Sequence, residues 1–258
     1  MDAFVTAGGI PQPAEPLYEY TQGASKAMLD IAGKPMIQWV IDALTQASRV
    51  ENIIIIGLTE DSGVTSPKIA GYIPNQGGMV DNFLAGVKKT MEINPNSVHA
   101  LLVSSDIPTI TGDMVDWLVN TALETDHEAY YNVIPRQVME QRFPGSKRSY
   151  TRLKDVEVCG GDMNLIKTSL VTQNNEIWIK LVAARKNVFK QAALIGYDTL
   201  FLLAFRLVTL DQAVKKASQR LHIKGKAVVC PYAEVGMDVD KPHQLEMVRA
   251  DFTRRAAA

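Results

Sequence analysis

Three short stretches of this sequence carry residue types able to handle a phosphorylated substrate. Ala7-Gly8-Gly9 follows an apolar run. Glycines there let backbone N–H groups approach a phosphate or a nucleobase, and Lys26, further along, can neutralise phosphate charge. Ser104-Ser105-Asp106-Ile107-Pro108 ends a second apolar run. A carboxylate in that place, with a proline fixing the turn behind it, suits a divalent cation, because Mg²⁺ takes one or two carboxylates together with substrate phosphates. A turn or N-cap role is the other job open to Asp106. The third stretch is Asp238-Val239-Asp240. In extended backbone its two aspartates share a side, and Asp240 can either hold a cation or cap the helix that starts near Pro242.

Other chemistries are poorly served. Gly8-Gly9-Ile10 does not continue to GxGxxG, and Gly33-Lys34-Pro35 lacks the hydroxyl residue and the first glycine of a Walker A loop. Cys159 and Cys230 form no CxxC pair and are expected to be buried, reduced thiols. His99, His127, His222 and His243 show no metal-ligand spacing. With 27 Lys plus Arg against 28 Asp plus Glu, the net charge is −1, so no chain-wide cationic field exists to hold nucleic acid, and any polyanion site must be local. The local candidate is the basic stretch Arg142, Lys147, Arg148, Arg152 and Lys154, interleaved with Tyr150 and followed by Gly160-Gly161-Asp162. It suits an anionic acceptor, or else forms a solvated polar edge.

These residues need a scaffold, and the 258-residue chain is long enough to bury a real core. Ala3–Ala7 reads as a strand and residues 35–47 as an amphipathic helix with Met36, Val40 and Leu44 on one stripe. Ile53–Ile56 and residues 98–103 read as strands buried on two faces, with a helix over 81–91 between them. A strand over 128–134, a long helical tract from about 175 to 221, a strand over 226–229 and a closing helix over 242–252 complete the pattern. Strand–helix alternation predicts a doubly wound α/β sheet, whose ligands sit beyond the carboxyl ends of the strands. A single domain over 1–258 with a helical, acceptor-side insertion at about 135–225 is expected. Residues 192–210 have the length of a membrane span but are interrupted by Asp198 and Arg206, so a core or dimer-interface helix is expected instead. No stretch near the N-terminus pairs a basic region with an apolar one, so an unsecreted, cytoplasmic protein is the expectation.

In combination and order these pieces resemble a family. Ala7-Gly8-Gly9, the run from Ser25-Lys26 to Gly33-Lys34-Pro35-Met36-Ile37, Gly77-Gly78 with Asp81-Asn82, Asp106-Ile107-Pro108, and Asp238-Val239-Asp240-Lys241-Pro242 are similar to the motifs of nucleotidyltransferases of the molybdenum-cofactor guanylyltransferase and sugar-phosphate nucleotidylyltransferase type. The resemblance spans about 1–110 and 226–252. It implies a Rossmann-like three-layer sandwich of the glycosyltransferase-A type with a mostly parallel sheet. It also implies an Mg²⁺-dependent reaction of an NTP with a small phosphorylated acceptor that releases pyrophosphate. Carried over residue by residue, Ala7, Gly8 and Gly9 would line the nucleotide and Lys26 would hold its phosphates. Gly77, Gly78 and Asn82 would approach the base or ribose, and Asp106 with Asp240, or Asp238, would hold Mg²⁺. Lys26 and Asp106 are the expected catalytic residues. Arg148, Lys147 and Asp162 are the expected acceptor-binding residues. The family's Gly-x-Gly-x-Arg element is replaced here by Ile10, Pro11, Gln12 and Pro13, which opens a second reading, a nucleotide-binding protein without turnover. A third reading takes Asp238-Val239-Asp240 as the DxD metal motif of a glycosyltransferase.

Overall fold

The computed structural model describes residues 1–173 and 206–256. Its centre is built from β1 (Asp2–Thr6), whose neighbours are set by the same alternation that buries it. A two-residue ladder, β2 (Asp30–Ile31) with β3 (Lys34–Pro35), leads into α2 (Met36–Gln46). A single turn, α1 (Tyr18–Thr21), precedes that ladder. Next come β4 (Ile53–Ile56), β5 (Ile69–Ile73), α3 (Met79–Ile93), β6 (His99–Ser104) and α4 (Gly112–Leu123). Then follow β7 (Ala129–Pro135), α5 (Arg136–Arg142), β8 (Thr151–Arg152), β9 (Glu157–Gly160), β10 (Met163–Lys167) and α6 (Thr168–Gln173). After the gap in the described residues come α7 (Leu210–Leu221), β11 (Gly225–Val229) and α8 (Pro242–Ala256).

Nine of these strands form one sheet in the order β5-β4-β1-β6-β10-β7-β9-β8, with β11 on the free side of β7. β5, β4, β1 and β6 are mutually parallel, and β7 and β11 run the same way. β10 and β9 run against them. The sheet is therefore mostly parallel, as expected, with an antiparallel intrusion between β6 and β7.

Period-two burial sorts the side chains into two layers. Ala3, Val5, Ile53 and Ile55 pack with Met36, Val40 and Leu44 of α2 and with α4 and α8 on one face. Phe4, Ile54 and Ile56 pack with Phe83 and Val87 of α3 and with α6 on the other. Burial on both faces is what a run of four isoleucines requires. The result is the three-layer α/β sandwich of the glycosyltransferase-A type.

The structure differs from the sequence reading between residues 135 and 173. That stretch, counted with the helical, acceptor-side insertion over about 135–225 and given no strands, supplies β8, β9 and β10 to the central sheet after α5. The reason is that these strands are short, half-solvated and interrupted by Gly160-Gly161, so neither hydrophobic period is strong. The segment proposed as a dimer-interface helix, 192–210, falls mostly outside the described residues. Of the long helical tract, the described part is helix only from Leu210. Among the described residues no helix is long and apolar enough to cross a membrane. Both cysteines are free and buried.

Candidate active site

The carboxyl ends of β1 and β6 open onto one edge of the sheet, and the first loop is folded back onto that edge. Ser25 Oγ donates to Ala7 O at 2.7 Å, and Lys26 N donates to Gly9 O at 2.8 Å. Ser25 also accepts from Ala27 N, capping the short 3₁₀ turn Lys26–Met28. The long intervening loop is thus closed at its base, and Lys26 stands beside the glycines although 16 residues lie between it and Gly9.

From there the Lys26 ammonium donates to Asp106 Oδ2 at 2.7 Å and to Asp240 Oδ1 at 2.6 Å. The two carboxylates, 134 positions apart in sequence, are therefore no more than two hydrogen bonds apart in space. Burial alone would lower the Lys26 pKa, but the charges of Asp106 and Asp240 outweigh it and hold the ammonium well above its usual range. A backbone bond, Val239 N to Asp106 O at 2.9 Å, locks the two loops together. Val239 itself is fully buried, which turns Asp238 and Asp240 to the opposite side of that short extended stretch.

Asp238 does not join Asp240 on Lys26. It forms an ion pair with Arg148 instead. Arg148 also approaches Asp162 Oδ2 at 3.8 Å and Gly160 O at 3.4 Å. Asp162 reaches the cleft because β10 is antiparallel: its amino end, not its carboxyl end, meets the carboxyl end of β6, and Ser104 N donates to Asp162 O at 2.9 Å. Burial, then the charge of Asp106, push the Asp162 carboxyl up to about 7, with Arg148 opposing them. Lys147 is exposed, in left-handed backbone at φ 54°, and joins none of the ion pairs of this cluster among the described residues.

The basic stretch is divided by the fold. Arg142 leaves it to pair with Glu234 and Asp251, and Arg152 pairs with Glu157 on the neighbouring strand. Of its cations, only Arg148 enters the cleft through an ion pair.

On the other flank, Gly77 and Gly78 precede α3. Asn82 is buried, and its amide is spent on that turn: Oδ1 accepts from Gln76 N at 2.7 Å and Nδ2 donates to Asn75 Oδ1 at 3.1 Å. Asn75 in turn donates to Gly8 O at 3.0 Å and accepts from Gly77 N at 3.0 Å, tying the two glycine loops together. Gly57, at the end of β4, lies at φ 99° with its α-carbon against the backbone of Gly8, where a Cβ would collide. The sequence reading did not single out Asn75 or Gly57. The available signal for Gly57 was a glycine placed directly after a fully buried strand, where a neighbouring loop must come close.

Two features fit a hard cation. Asp106 Oδ1 is buried and without a hydrogen-bond partner, although Oδ2 is bound by Lys26. Lys26 and Arg148 face four aspartates, so negative charge is in excess even with Asp162 partly protonated. No group of three or more His, Cys, Asp or Glu side chains among the described residues has metal-site geometry. Two carboxylates nevertheless suffice for Mg²⁺ when phosphates complete its shell.

Residues 20–200 match the model of the MobA-like NTP transferase domain. The chain belongs to that family. This NTP transferase is 24% identical over 154 residues to a probable molybdenum cofactor guanylyltransferase of Thermococcus gammatolerans, covering 53% of this chain and 77% of that one. Its structure is similar to a hypothetical transferase from Thermus thermophilus, with a TM-score of 0.83 and 30% identity over 95% of this chain and 98% of the other. It also resembles a CMP:2-keto-3-deoxy-manno-octonic acid synthetase complexed with CTP, with a TM-score of 0.61 and 14% identity over 98% of each chain. That last likeness is one of fold. The enzyme is a nucleotidyltransferase, and the glycosyltransferase reading of its Asp-Val-Asp triplet gives way to that membership.

Proposed function

We propose that this NTP transferase couples a nucleoside triphosphate to a small phosphorylated acceptor in the presence of Mg²⁺ and releases pyrophosphate. The reading is carried by the Lys26 ammonium, which bridges Asp106 and Asp240 beside the Ala7-Gly8-Gly9 backbone. Ala7, Gly8 and Gly9 would line the nucleotide with backbone N–H groups, and the turn at Gly77-Gly78, shaped by Asn82, would meet the base or ribose. Asp106 and Asp240 would hold Mg²⁺, whereas Asp238 is already neutralised by Arg148. Bound there, Mg²⁺ would supply positive charge to the phosphates.

The reaction then asks for little covalent chemistry from the protein. An acceptor phosphate oxygen attacks the α-phosphorus, and the bond to the oxygen bridging the α- and β-phosphorus breaks opposite it. Pyrophosphate leaves with that electron pair. Lys26 holds the phosphates in line and stabilises the charge that grows on the leaving group, which its raised pKa keeps it protonated to do. Arg148, with Asp162 and the exposed Lys147 at the mouth, forms the acceptor wall.

The test is pyrophosphate release from each NTP with Mg²⁺ and a panel of sugar, polyol and cofactor phosphates. GTP and CTP come first, because a relative is a guanylyltransferase and a structural neighbour carries CTP. Absence of release from every pair, in folded protein, overturns the reading.

A second reading rests on residues 10–13, which put no arginine or lysine between Gly9 and Lys26. It is a nucleotide-binding protein without turnover. Thermal stabilisation by an NTP with no pyrophosphate released supports it, and turnover with any pair excludes it.

A further inference from the structure

Gln244 is 2% exposed, and it joins two loops that approach the cleft from different parts of the chain. Its Oε1 accepts from Asp240 N at 3.0 Å and from Lys241 N at 2.9 Å. Two donors at one end fix the orientation of the amide, so Nε2 must face the other way. There it donates to Ser146 O at 3.4 Å, and His243 Nε2 donates to the same carbonyl at 3.1 Å. Ser146 is fully buried two residues before Arg148, in a turn set by left-handed backbone at Gly145 and Lys147. The Asp240 loop is fastened to Asp106 through Val239 N, whereas the Arg148 loop is fastened to α8 through the Ser146 carbonyl.

We propose that Gln244 is a positioning residue that holds the Arg148 loop and the Asp240 loop as one unit. The phosphate-side carboxylate and the acceptor-side cation then keep a fixed separation. This rests on the reading that Arg148 faces the acceptor. An amide is the side chain that fits, because it combines an acceptor for two N–H groups with a donor for a carbonyl in one rigid plane and does so without titrating.

The two halves of that joint can be cut separately. Gln244→Glu keeps an oxygen for Asp240 N and Lys241 N but sets a second oxygen against Ser146 O. Gln244→Leu removes both halves. Hydrogen exchange by mass spectrometry should show faster exchange of residues 144–150 in Gln244→Glu with residues 237–241 still protected, and faster exchange of both in Gln244→Leu. A role in general stability would instead speed exchange throughout the molecule in both variants. Inorganic phosphate, titrated as the stand-in for an acceptor phosphoryl group, should bind about tenfold more weakly to Gln244→Glu, matching Arg148→Ala.

Unchanged exchange at 144–150 in Gln244→Glu overturns the proposal. So does faster exchange there with phosphate affinity intact while Arg148→Ala loses it. If phosphate binds wild type and Arg148→Ala equally, the acceptor reading of Arg148 fails instead, and the exchange data still decide whether Gln244 joins the loops.

Discussion

Two clusters of opposite net charge, one of them drawing on Glu234 of the 3₁₀ turn Ala233–Gly236, are built on different rules. In the cluster that ties α5 to α8, Arg142, Arg254 and Arg255 surround Glu234 and Asp251. Both oxygens of Asp251 are bound, one by Arg142 Nη1 at 2.9 Å and the other by Arg142 Nη2 at 2.8 Å. Burial alone would raise the Asp251 pKa, but these arginines pull it below the usual carboxylate range. In the cleft the ratio is reversed: two cations face four aspartates, and Asp106 Oδ1 is buried without a partner. Asp162 is pushed the other way, up to about 7. A cluster that completes itself is built to hold elements together, whereas one left with excess charge and open lone pairs is built to meet something else.

Substitutions should separate the two clusters by what they damage. The largest effect on rate is expected from Asp106→Ala, which should lower pyrophosphate release by about 100- to 1,000-fold with the melting temperature shifted by only a few degrees (~3 °C). An unchanged rate would remove Asp106 from the site. Arg142→Met should do the reverse and destabilise the fold by about 3 kcal/mol, or roughly 10 °C, because it leaves two buried carboxylates short of a cation. Denaturant unfolding reads that loss, and turnover per folded molecule should hold. Gly57→Ala should cost about 1–3 kcal/mol and weaken nucleotide binding, since left-handed backbone and the Gly8 contact both oppose a Cβ.

The acid side of the stability curve offers a finer test. Because the Asp251 pKa is depressed in the folded state, its contribution is complete above the ordinary carboxylate pKa of about 4 and is lost as pH falls through the depressed value. Melting temperatures between pH 6 and pH 3 should therefore fall less steeply in Arg142→Met than in wild type. The smallest effect belongs to Asp162→Asn. Removing an unmet carboxylate should raise the melting temperature at pH 8 slightly, by about 1–2 °C, while slowing turnover. A fall in stability would mean that Asp162 is structural, like Asp251.

How far the sequence revealed this arrangement depended on burial. β1, β4 and β6 are buried on both faces and wrote themselves as apolar runs, so the loops after them could be located within a residue. β5 carries Gly71 and a half-exposed pattern, and β8–β10 alternate poorly around Gly160-Gly161, so neither period stood out there. Lys26, Asp106 and Asp240 were legible because each stands in a distinct local motif. Their meeting on one ammonium was not, since nothing local to positions 26, 106 and 240 encodes a common destination. The basic stretch was legible as charge but not as purpose: Arg142 and Arg148 lie six residues apart and serve different clusters, because α5 ends between them and the chain turns at Gly145.

The bond from Val239 N to Asp106 O is made entirely by backbone. Its persistence does not depend on which side chains positions 106, 238 and 240 carry. Substituting the carboxylates of this cleft one at a time should therefore leave in place the backbone bond that brings the two loops together. Frame and reactive groups are thus supplied by different atoms of the same two loops, the backbone and the side chains.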